Sequence, residues 1–597
     1  MLFLFTSLKT ILSSRDISKI FSMSALLFLV ALVEIFALFL ISFLVLNLSN
    51  FSSGIYETAF FKFLLFLVNG NLVSANIALG SLIALYAILS TLFSLRVLKY
   101  VSITSQIIGS SIKLNIAKIF LYQSWKSALG EKTSEQTSKI INDGSELGIL
   151  INFIMHLFSR SILALLIILG LCIFNFKLTM LMVFFLGTSY FFIFKTFKSR
   201  VDRNSVQVSK MKDRLINIVT NFLGSIKEII FYGNQYEVIK HFHNANDIHA
   251  KGMGENYFLA QVPRFIIDTI LLIILVVGAV VVNIMSFSAI DFLTTISIYG
   301  IASLKLLPAF QNIFNFAHEI YIRMPYLHNV IKIFDVSDYN YLKGSYGSDR
   351  KLTINSIAFK DVSFSYNETS KPSSKKINVN IEIGDKVAVI GASGSGKSTF
   401  IDLLLGLLKP DLGKILINNT SLEDINEVDY RANFSYIPQK IFLTESSIFE
   451  NIIFGSGRTN FDESAFKKAI ELSHSSEFIY QTESGLETLI SDNQISFSGG
   501  QKQCLGFARA FYRGGKILIF DEATNAMDQK LEESILKSIK ISDFNTLICI
   551  THRPSLLKEF NKICVFNAGS LEDIGTYDEL IKRNTFFKEI ISSSVKS

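Results

Sequence analysis

The sequence predicts two domains of different fold class: an all-α membrane domain with six spanning helices, then an α/β domain built around a phosphate-binding loop. Three observations support this division. Half of the 597 residues are apolar, and the long apolar runs lie almost wholly before about residue 335. From Lys351 onward the charge density is typical of a cytosolic domain, and a glycine-rich motif begins at Gly391. We therefore assign 1–335 to the membrane domain, 336–351 to a linker and 352–597 to the α/β domain.

The first predicted span runs from Ser22 to Leu46, long enough to cross a hydrocarbon core of about 30 Å. It is too long for a secretory signal peptide and lacks a small-residue cleavage site. Met1–Ile20 mixes Phe and Leu with basic residues, which is typical of an amphipathic helix on the cytoplasmic surface. The other predicted spans are Val73–Leu95, Ile149–Phe174, Leu178–Phe194, Phe265–Asn283 and Phe287–Ala309.

The apolar stretch Ala59–Val68 is too short to cross the membrane. It favours a helix in the outer interface, with a re-entrant piece or the start of the second span as alternatives. The segments Arg96–Lys139 and Lys195–Glu255 are rich in Lys and Arg, whereas Asn47–Asn71 is nearly uncharged. The positive-inside rule therefore puts the N-terminus and the α/β domain in the cytoplasm.

The net charge of +7 does not indicate nucleic-acid binding, because the basic residues lie between apolar runs where lipid headgroups and topology explain them. The four cysteines show no metal or redox spacing. The two basic segments are long and helical in pattern, so the membrane helices should extend far beyond the bilayer.

The motif from Gly391 to Ser398 follows the apolar run Val387–Ile390, a predicted strand, and precedes the helical pattern Thr399–Leu405. Strand before and helix after make it a P-loop, and the domain an α/β P-loop NTPase. Backbone N–H groups and the helix N-terminus would bind phosphates, while Lys397 reaches the β- and γ-phosphates. The Ser398 hydroxyl would bind Mg²⁺. The predicted nucleotide-binding residues here are Gly391, Ser393, Gly394, Ser395, Gly396, Lys397, Ser398 and Thr399.

A second apolar strand, Ile517–Phe520, ends in Asp521 and Glu522. Asp521 is predicted as a partner of Mg²⁺ and Glu522 as the general base that activates the attacking water. A helix cap or a surface pair of acids is the alternative interpretation. The end of a buried strand, downstream of a P-loop, favours the catalytic one.

Together with Ser498-Gly499-Gly500-Gln501, these residues resemble the nucleotide-binding domain of the ATP-binding-cassette (ABC) superfamily. The resemblance implies ATP and Mg²⁺ as cofactors and a signature, Ser498–Gln501, that closes on the γ-phosphate held by a second subunit. It also implies that Tyr366 stacks on adenine, that Gln439 senses Mg²⁺ and water, that Asp528 belongs to the D-loop, and that His552 is the switch histidine. Each motif alone is weak evidence, but all of them occur in the family's order.

Four residues depart from the family pattern: Phe497, Cys504, Asn525 and Met527. None of them removes a phosphate-binding, metal-binding or proton-transfer group. An Arg commonly stands at the position of Cys504, so its loss could weaken packing around the signature helix and slow turnover.

The six spans with long extensions resemble the exporter branch of the superfamily, with its type I or type IV exporter fold. That likeness implies short coupling helices near Gln123–Ser127 and Gly224–Tyr232, each lying on a cassette. A chain with a single cassette must pair with a second one, so a two-fold homodimer is expected. The expected location is the bacterial inner membrane, which the chain crosses several times.

Charged residues inside predicted spans point to the transported substrate, because such residues are costly and usually functional. Glu34 lies midway along the first span, Arg264 opens the fifth, and Lys305 lies in the sixth, roughly 27 Å from its start. In a dimer, Arg264 and Lys305 of both subunits would line a cavity suited to an anionic headgroup such as a pyrophosphate. Snorkelling of the basic side chains to the interface is the alternative.

Three further stretches, Val33–Ala37, Val262–Arg264 and Leu293–Ala309, resemble the bacterial lipid-linked oligosaccharide flippases of protein N-glycosylation. This implies flipping of a polyprenyl-pyrophosphate-linked oligosaccharide from the inner to the outer leaflet. The alternatives are export of another amphiphile (lipid A, a peptide or a drug) and an ATP-gated membrane regulator without transport. A peptidase-bearing exporter is not expected, because no room for a protease precedes the first span. The six spans argue against a soluble cassette protein.

Overall fold

A computed structural model describes residues 2–48, 66, 72–130, 132–284, 289–336, 352–366, 373–455, 461–490, 497–551 and 553–596. They fall into two compact units. The first comprises Met1–Gln123 and Glu131–Asp338, and the second comprises Ser124–Gly130 and Tyr339–Ser597. Several predictions concern residues outside the described ranges: the interfacial segment Ala59–Val68 apart from Phe66, the linker from 337 to 351, Phe287 at the start of the sixth span, and His552.

Ten helices are described before residue 337. In chain order they are α1 (Leu2–Ile11), α2 (Ser14–Leu48), α3 (Leu72–Leu121), α4 (Trp125–Gly130), α5 (Thr133–Ser138), α6 (Gly144–Phe174), α7 (Phe176–Gly224), α8 (Ile226–Tyr232), α9 (Gln235–Ile284) and α10 (Ala289–Val336).

Apart from the first residues of the sixth, each predicted span lies inside one of the long helices α2, α3, α6, α7, α9 and α10. Four segments of the described residues are long and apolar enough to cross a membrane, and they coincide with the first four predicted spans. α3 and α9 contain 50 residues each. At 1.5 Å per residue such a helix is about 75 Å long, against a hydrocarbon core of about 30 Å. The prediction that the helices extend well beyond the bilayer is therefore confirmed.

The first unit contains the predicted spans and is called the membrane unit from here on. It packs around a continuous apolar core, to which Met23 of α2, Ile108 of α3, Leu147 of α6 and Leu327 of α10 contribute fully buried side chains. Its outer surface is also apolar, and Ile173, for example, is 90% exposed. An apolar outer surface of this extent is what a helix bundle presents to lipid.

Helix α1 buries Leu8 and Ile11 while Lys9 is exposed, so an amphipathic helix forms, but it ends at Ile11 and not at the predicted Ile20, because α2 begins at Ser14. Its location at the cytoplasmic surface stays a prediction. The two predicted coupling segments also form short helices, α4 and α8. Between α5 and α6 a π-helical turn, Lys139–Asp143, continues the helical path, and the sequence pattern did not indicate it.

The second unit contains a sheet of ten strands among its described residues. They are β1 (Ser356–Phe364), β2 (Ser374–Glu382), β3 (Lys386–Gly391), β4 (Leu412–Ile417), β5 (Thr420–Ser421), β6 (Phe434–Ile437), β7 (Ile517–Asp521), β8 (Thr546–Ile550), β9 (Lys562–Asn567) and β10 (Ser570–Gly575). The strand order is β5-β4-β1-β2-β10-β9-β3-β8-β7-β6. Strands β9, β3, β8, β7 and β6 pair in parallel, and β5, β4, β1 and β2 pair antiparallel.

Ten helices accompany this sheet: α11 (Lys397–Leu404), α12 (Glu427–Arg431), α13 (Ile448–Ile452), α14 (Glu463–Leu472), α15 (Ser476–Ile479), α16 (Gly499–Arg513), α17 (Gln529–Ile541), α18 (Pro554–Leu557), α19 (Tyr577–Arg583) and α20 (Thr585–Lys596). Alternate residues of β3 enter two different apolar cores, Val387 and Val389 on one face and Ala388 and Ile390 on the other. A parallel strand covered on both faces reads as a continuous apolar run, which explains its sequence. The carboxyl ends of β3 and β7, separated only by β8, bring their following loops to one edge of the sheet.

Candidate functional site

The loop after β3 requires glycine for steric reasons at two positions. A Cβ atom at Gly391 would lie 2.3 Å from the carbonyl oxygen of Phe566, and one at Gly396 would lie 2.7 Å from that of Ser373. Gly396 also has a φ of +99°, which side chains rarely adopt. The resulting tight loop leads into α11 with its N-terminal N–H groups available to an anion, as the P-loop motif predicts.

Lys397, the first residue of α11, folds back over this loop. Its Nζ donates hydrogen bonds to the carbonyl oxygens of Gly391, at 2.7 Å, and Ala392, at 2.9 Å. Only 8% of the residue is exposed, and this burial lowers the pKa of the lysine, although Glu522 and Asp521 oppose the shift. The lysine is therefore already held where a phosphate bound to the loop would lie.

Asp521 and Glu522 stand at the end of β7, as predicted. Burial, with a smaller contribution from Glu522, raises the pKa of Asp521 to about 6, while Lys397 acts in the opposite direction. Glu522 has a φ of +47°, so the chain turns sharply directly after the strand. A carboxylate whose charge is disfavoured in this way gains from a nearby cation.

Glu522 meets the loop that follows the neighbouring strand β6. The Nε2 atom of Gln439 donates to its Oε2 atom at 2.9 Å, and Nδ2 of Asn525 donates to the same oxygen at 3.1 Å. The structure thus gathers the predicted residues Lys397, Gln439, Asp521 and Glu522 in one place. Asn525 was noticed in the sequence only as a departure from the family pattern.

The predicted metal ligands form a plausible set of hard donors for Mg²⁺. Ser398 is exposed in the first turn of α11, and Gln439 uses its amide NH₂ group on Glu522, so its amide oxygen is the atom it would offer. Among the described residues, no group of three His, Cys, Asp or Glu side chains is arranged to hold a metal ion. Phosphate oxygens of a bound nucleotide are the further ligands that Mg²⁺ takes in P-loop enzymes.

Tyr366 contacts the P-loop helix. Its hydroxyl lies 3.2 Å from the Oγ1 atom of Thr399, and its ring packs edge-on against Phe364 with the ring centroids 5.0 Å apart. The ring is half-buried and fixed beside the predicted phosphate site. Stacking on adenine stays a prediction.

The signature forms the N-terminus of the 15-residue helix α16. Ser498 and Gln501 make a capping box, in which Ser498 Oγ accepts from the N–H of Gln501 and the N–H of Ser498 donates to Gln501 Oε1. Asp528 caps α17 by accepting from the N–H of Leu531 at 2.8 Å. Both motifs therefore have a structural role in the single chain, and their predicted contacts with nucleotide stay predictions.

The departures at Phe497, Cys504 and Met527 are buried substitutions. The Phe497 ring packs against Phe478, and Cys504 and Met527 belong to the apolar core beneath α16. Burial raises the pKa of the Cys504 thiol to about 12, so this cysteine stays protonated at neutral pH. Slow turnover due to Cys504 stays a prediction.

A protein-family model described as ABC transporter matches residues 374–525, which contain the P-loop, the signature, Asp521 and Glu522 in the arrangement just described. This match supports the predicted resemblance to the ABC transporter superfamily. The similarity of this chain to a solved bacterial Atm1-family ABC exporter with ATP bound extends over the whole fold. The TM-score is 0.78 over 97% of this chain and 98% of that one, at 18% sequence identity. The predicted exporter-type fold, with one membrane domain and one cassette, is confirmed.

Curated relatives of this chain include an ATP-dependent lipid A-core flippase of Wigglesworthia glossinidia brevipalpis, 29% identical over 66% of this chain and 67% of the relative. A similar flippase of Vibrio vulnificus is 32% identical over 41% of this chain and 42% of its own length. A Rickettsia typhi protein named as an export ATP-binding/permease protein is 35% identical over 47% and 48%. The chain thus spans about half the length, or less, of several relatives that it matches.

In the membrane unit, Glu34 is paired. Its Oε2 atom lies 3.4 Å from Nη1 of Arg160 on α6 and 3.9 Å from Nζ of Lys305 on α10. The predicted residues Glu34 and Lys305 are thus together, whereas Arg264 is exposed and lies 3.9 Å from Asp268 on its own helix. Arg160 was missed, although the argument used for Glu34, a charge inside an apolar span, applies equally to it.

Proposed function

We propose that two copies of this chain form an ATP-driven flippase for a phosphorylated lipid, most specifically a polyprenyl-pyrophosphate-linked oligosaccharide moved from the inner to the outer leaflet of the bacterial inner membrane. The observation that carries this proposal is the cluster Glu34–Arg160–Lys305 inside the helical unit of an exporter-type chain. Two basic groups held by one partly buried acid are unusual among spanning helices, where charges are costly and usually functional.

The ATP site of the proposed homodimer is shared. Each chain has one P-loop and one signature, and a nucleotide bound at Lys397 of one subunit would meet the N-terminus of α16 of the other. Binding of ATP would then favour the closed pair, and hydrolysis would favour the open one.

Within one cassette, the residues have distinct roles. Lys397 would exchange its loop carbonyl partners for phosphate oxygens, while Ser398, Asp521 and the Gln439 amide oxygen would hold Mg²⁺. The bound ion would neutralise the charge that develops on the phosphates. Glu522 orients the attacking water and accepts its proton, and His552 is proposed to act on the γ-phosphate side of the site.

Movement of α11 is linked to α4 by one hydrogen bond. Nε1 of Trp125 donates to Oδ2 of Asp402 at 3.2 Å, and Lys126 lies over the Phe364 ring at 5.0 Å. A displacement of α11 would therefore be passed to α4. The second predicted coupling helix, α8, has no buried residue, and we propose that it rests on the cassette of the other subunit.

The proposed binding of the substrate depends on the cluster Glu34–Arg160–Lys305. A phosphate group would replace Glu34 as the partner of Arg160 and Lys305, because each of its oxygens accepts charge-assisted hydrogen bonds. The predicted contribution of Arg264 is smaller, since Asp268 lies beside it. A lipid of the lipid A-core type is the second candidate, favoured by the names of two relatives, and it shares the phosphorylated headgroup.

The experiment is reconstitution of the full chain in liposomes with fluorescent lipid-linked oligosaccharide or lipid A, with flipping and ATP hydrolysis measured in parallel. Wild type should flip the pyrophosphate-linked lipid, Glu522→Gln should abolish both activities, and Arg160→Ala with Lys305→Ala should abolish flipping while basal hydrolysis persists. Flipping of lipid A alone would select the second candidate. Hydrolysis without movement of either lipid would contradict the proposal and would leave export of a peptide or a drug, or a regulator without transport.

A further inference from the structure

The Glu522 carboxylate is held by two amides that act on the same oxygen atom. Gln439 reaches Oε2 from the loop after β6, and Asn525 reaches it from the turn three residues downstream, at 2.9 and 3.1 Å. An ionised carboxylate only accepts hydrogen bonds, so both amides must present their NH₂ groups. The orientation of both side chains is thereby determined.

The backbone leaves the Asn525 side chain little choice of position. The left-handed conformation of Glu522 reverses the chain, and the N–H of Asn525 donates to the Glu522 carbonyl oxygen at 3.2 Å. On the other side, the N–H of Ala526 donates to Oε1 of Gln503, a buried side chain of the signature helix α16, also at 3.2 Å. Asn525 therefore stands between the signature helix and the proposed general base, fixed from both sides.

We infer that Asn525 is a positioning residue that, together with Gln439, sets the orientation of the Glu522 carboxylate toward the attacking water. The inference rests on the proposed role of Glu522 as general base. A base must lie within hydrogen-bond reach of the proton that it accepts, and small errors of placement are costly. The side chain at 525 should therefore affect the chemical step rather than ATP binding.

The test measures ATP hydrolysis by the full chain in nanodiscs over a range of ATP concentrations. Asn525→Ala removes the donor and should lower kcat about tenfold, while KM for ATP stays within about twofold. Asn525→Asp keeps the shape but replaces the donor with an acceptor beside Glu522, so its kcat should fall at least as far.

Gln529→Ala is the matched control, since Gln529 is exposed on the next helix and its side chain bonds Glu533. It should leave kcat, KM and the melting temperature unchanged. A kcat within twofold of wild type for Asn525→Ala would overturn the inference, as would a rise in KM at constant kcat. So would a kcat within twofold of wild type for Asn525→Asp. Wild-type hydrolysis by Glu522→Gln would instead remove the proposed role of the base itself.

Discussion

The C-terminus of the P-loop helix α11 depends on a buried tyrosine. Tyr430 of α12 is 0% exposed, and its hydroxyl donates to the carbonyl oxygen of Leu404 at 2.7 Å. That carbonyl belongs to the last turn of α11 and cannot be paired within the helix. Tyr430→Phe would keep the ring, which packs against Phe434 with centroids 4.9 Å apart, and remove only the donor.

A buried carbonyl left without a donor costs about 1–3 kcal/mol in the free energy of unfolding. For a domain of the size of this cassette, that corresponds to a fall in melting temperature of roughly 3–9 °C. The emission of Trp125, the one tryptophan of the chain, reports on this unit because its indole N–H contacts Asp402 of α11. The change in melting temperature is measured by thermal unfolding of the full chain in detergent, followed by the fluorescence emission of Trp125.

The matched control is Tyr480→Phe, because Tyr480 is 69% exposed and its hydroxyl is accessible to water. This variant should melt within about 1 °C of wild type, as surface substitutions usually do. If Tyr430→Phe also melted within that margin, the hydroxyl of Tyr430 would not be satisfying the end of α11. In that case the C-terminus of α11 would not depend on the Tyr430 hydroxyl.

Three further predictions concern function. Addition of MgATP should change Trp125 emission, because Asp402 and Lys397 share α11, and Asp402→Ala should abolish that change in fluorescence titrations. Since the raised pKa of Asp521 is about 6, its carboxyl is protonated below that pH. Apparent Mg²⁺ affinity in equilibrium binding should therefore fall about fivefold from pH 6 to pH 5, whereas any stability from this proton is lost as pH rises through 6. Glu34→Gln should lower the flipping KM for a phosphorylated lipid about fivefold, and an unchanged KM would exclude Glu34 as the competing acid.

Much of the fold could be predicted from the sequence because the signals are local. The apolar length of a span is a property of consecutive residues, so the predicted spans lie within long helices, apart from the first residues of the sixth. The P-loop strand, predicted at Val387–Ile390, is observed as Lys386–Gly391, and the strand predicted at Ile517–Phe520 continues one residue further. The spacing of Gly391, Lys397 and Ser398 is set by the loop alone, so the motif can be recognised without a structure.

The contacts that organise the sites were less predictable, because they join residues distant in sequence. Arg160 and Glu34 are separated by 126 positions, and Trp125 and Asp402 by 277. Periodicity carries no information about such pairs. Asn525 lies only three residues from Glu522, so distance in sequence is not the reason that it was missed. Its role depends on the left-handed backbone at Glu522, and a glutamate at that position does not predict this conformation.

Acidic partners lower the net positive charge that a substrate would meet in the membrane unit. Free cations at Arg264 and Lys305 would have made the cavity strongly positive, but Asp268 accompanies the first and Glu34 accompanies the second. With Arg160 included, the Glu34 cluster has one net positive charge per subunit, and a two-fold dimer would have two. A pyrophosphate diester carries about two negative charges at neutral pH, so it would be neutralised without leaving buried charge, and uncompensated charge in the membrane is what costs free energy. A cationic peptide would meet the opposite balance, which is why the cluster favours a phosphorylated lipid over a basic substrate.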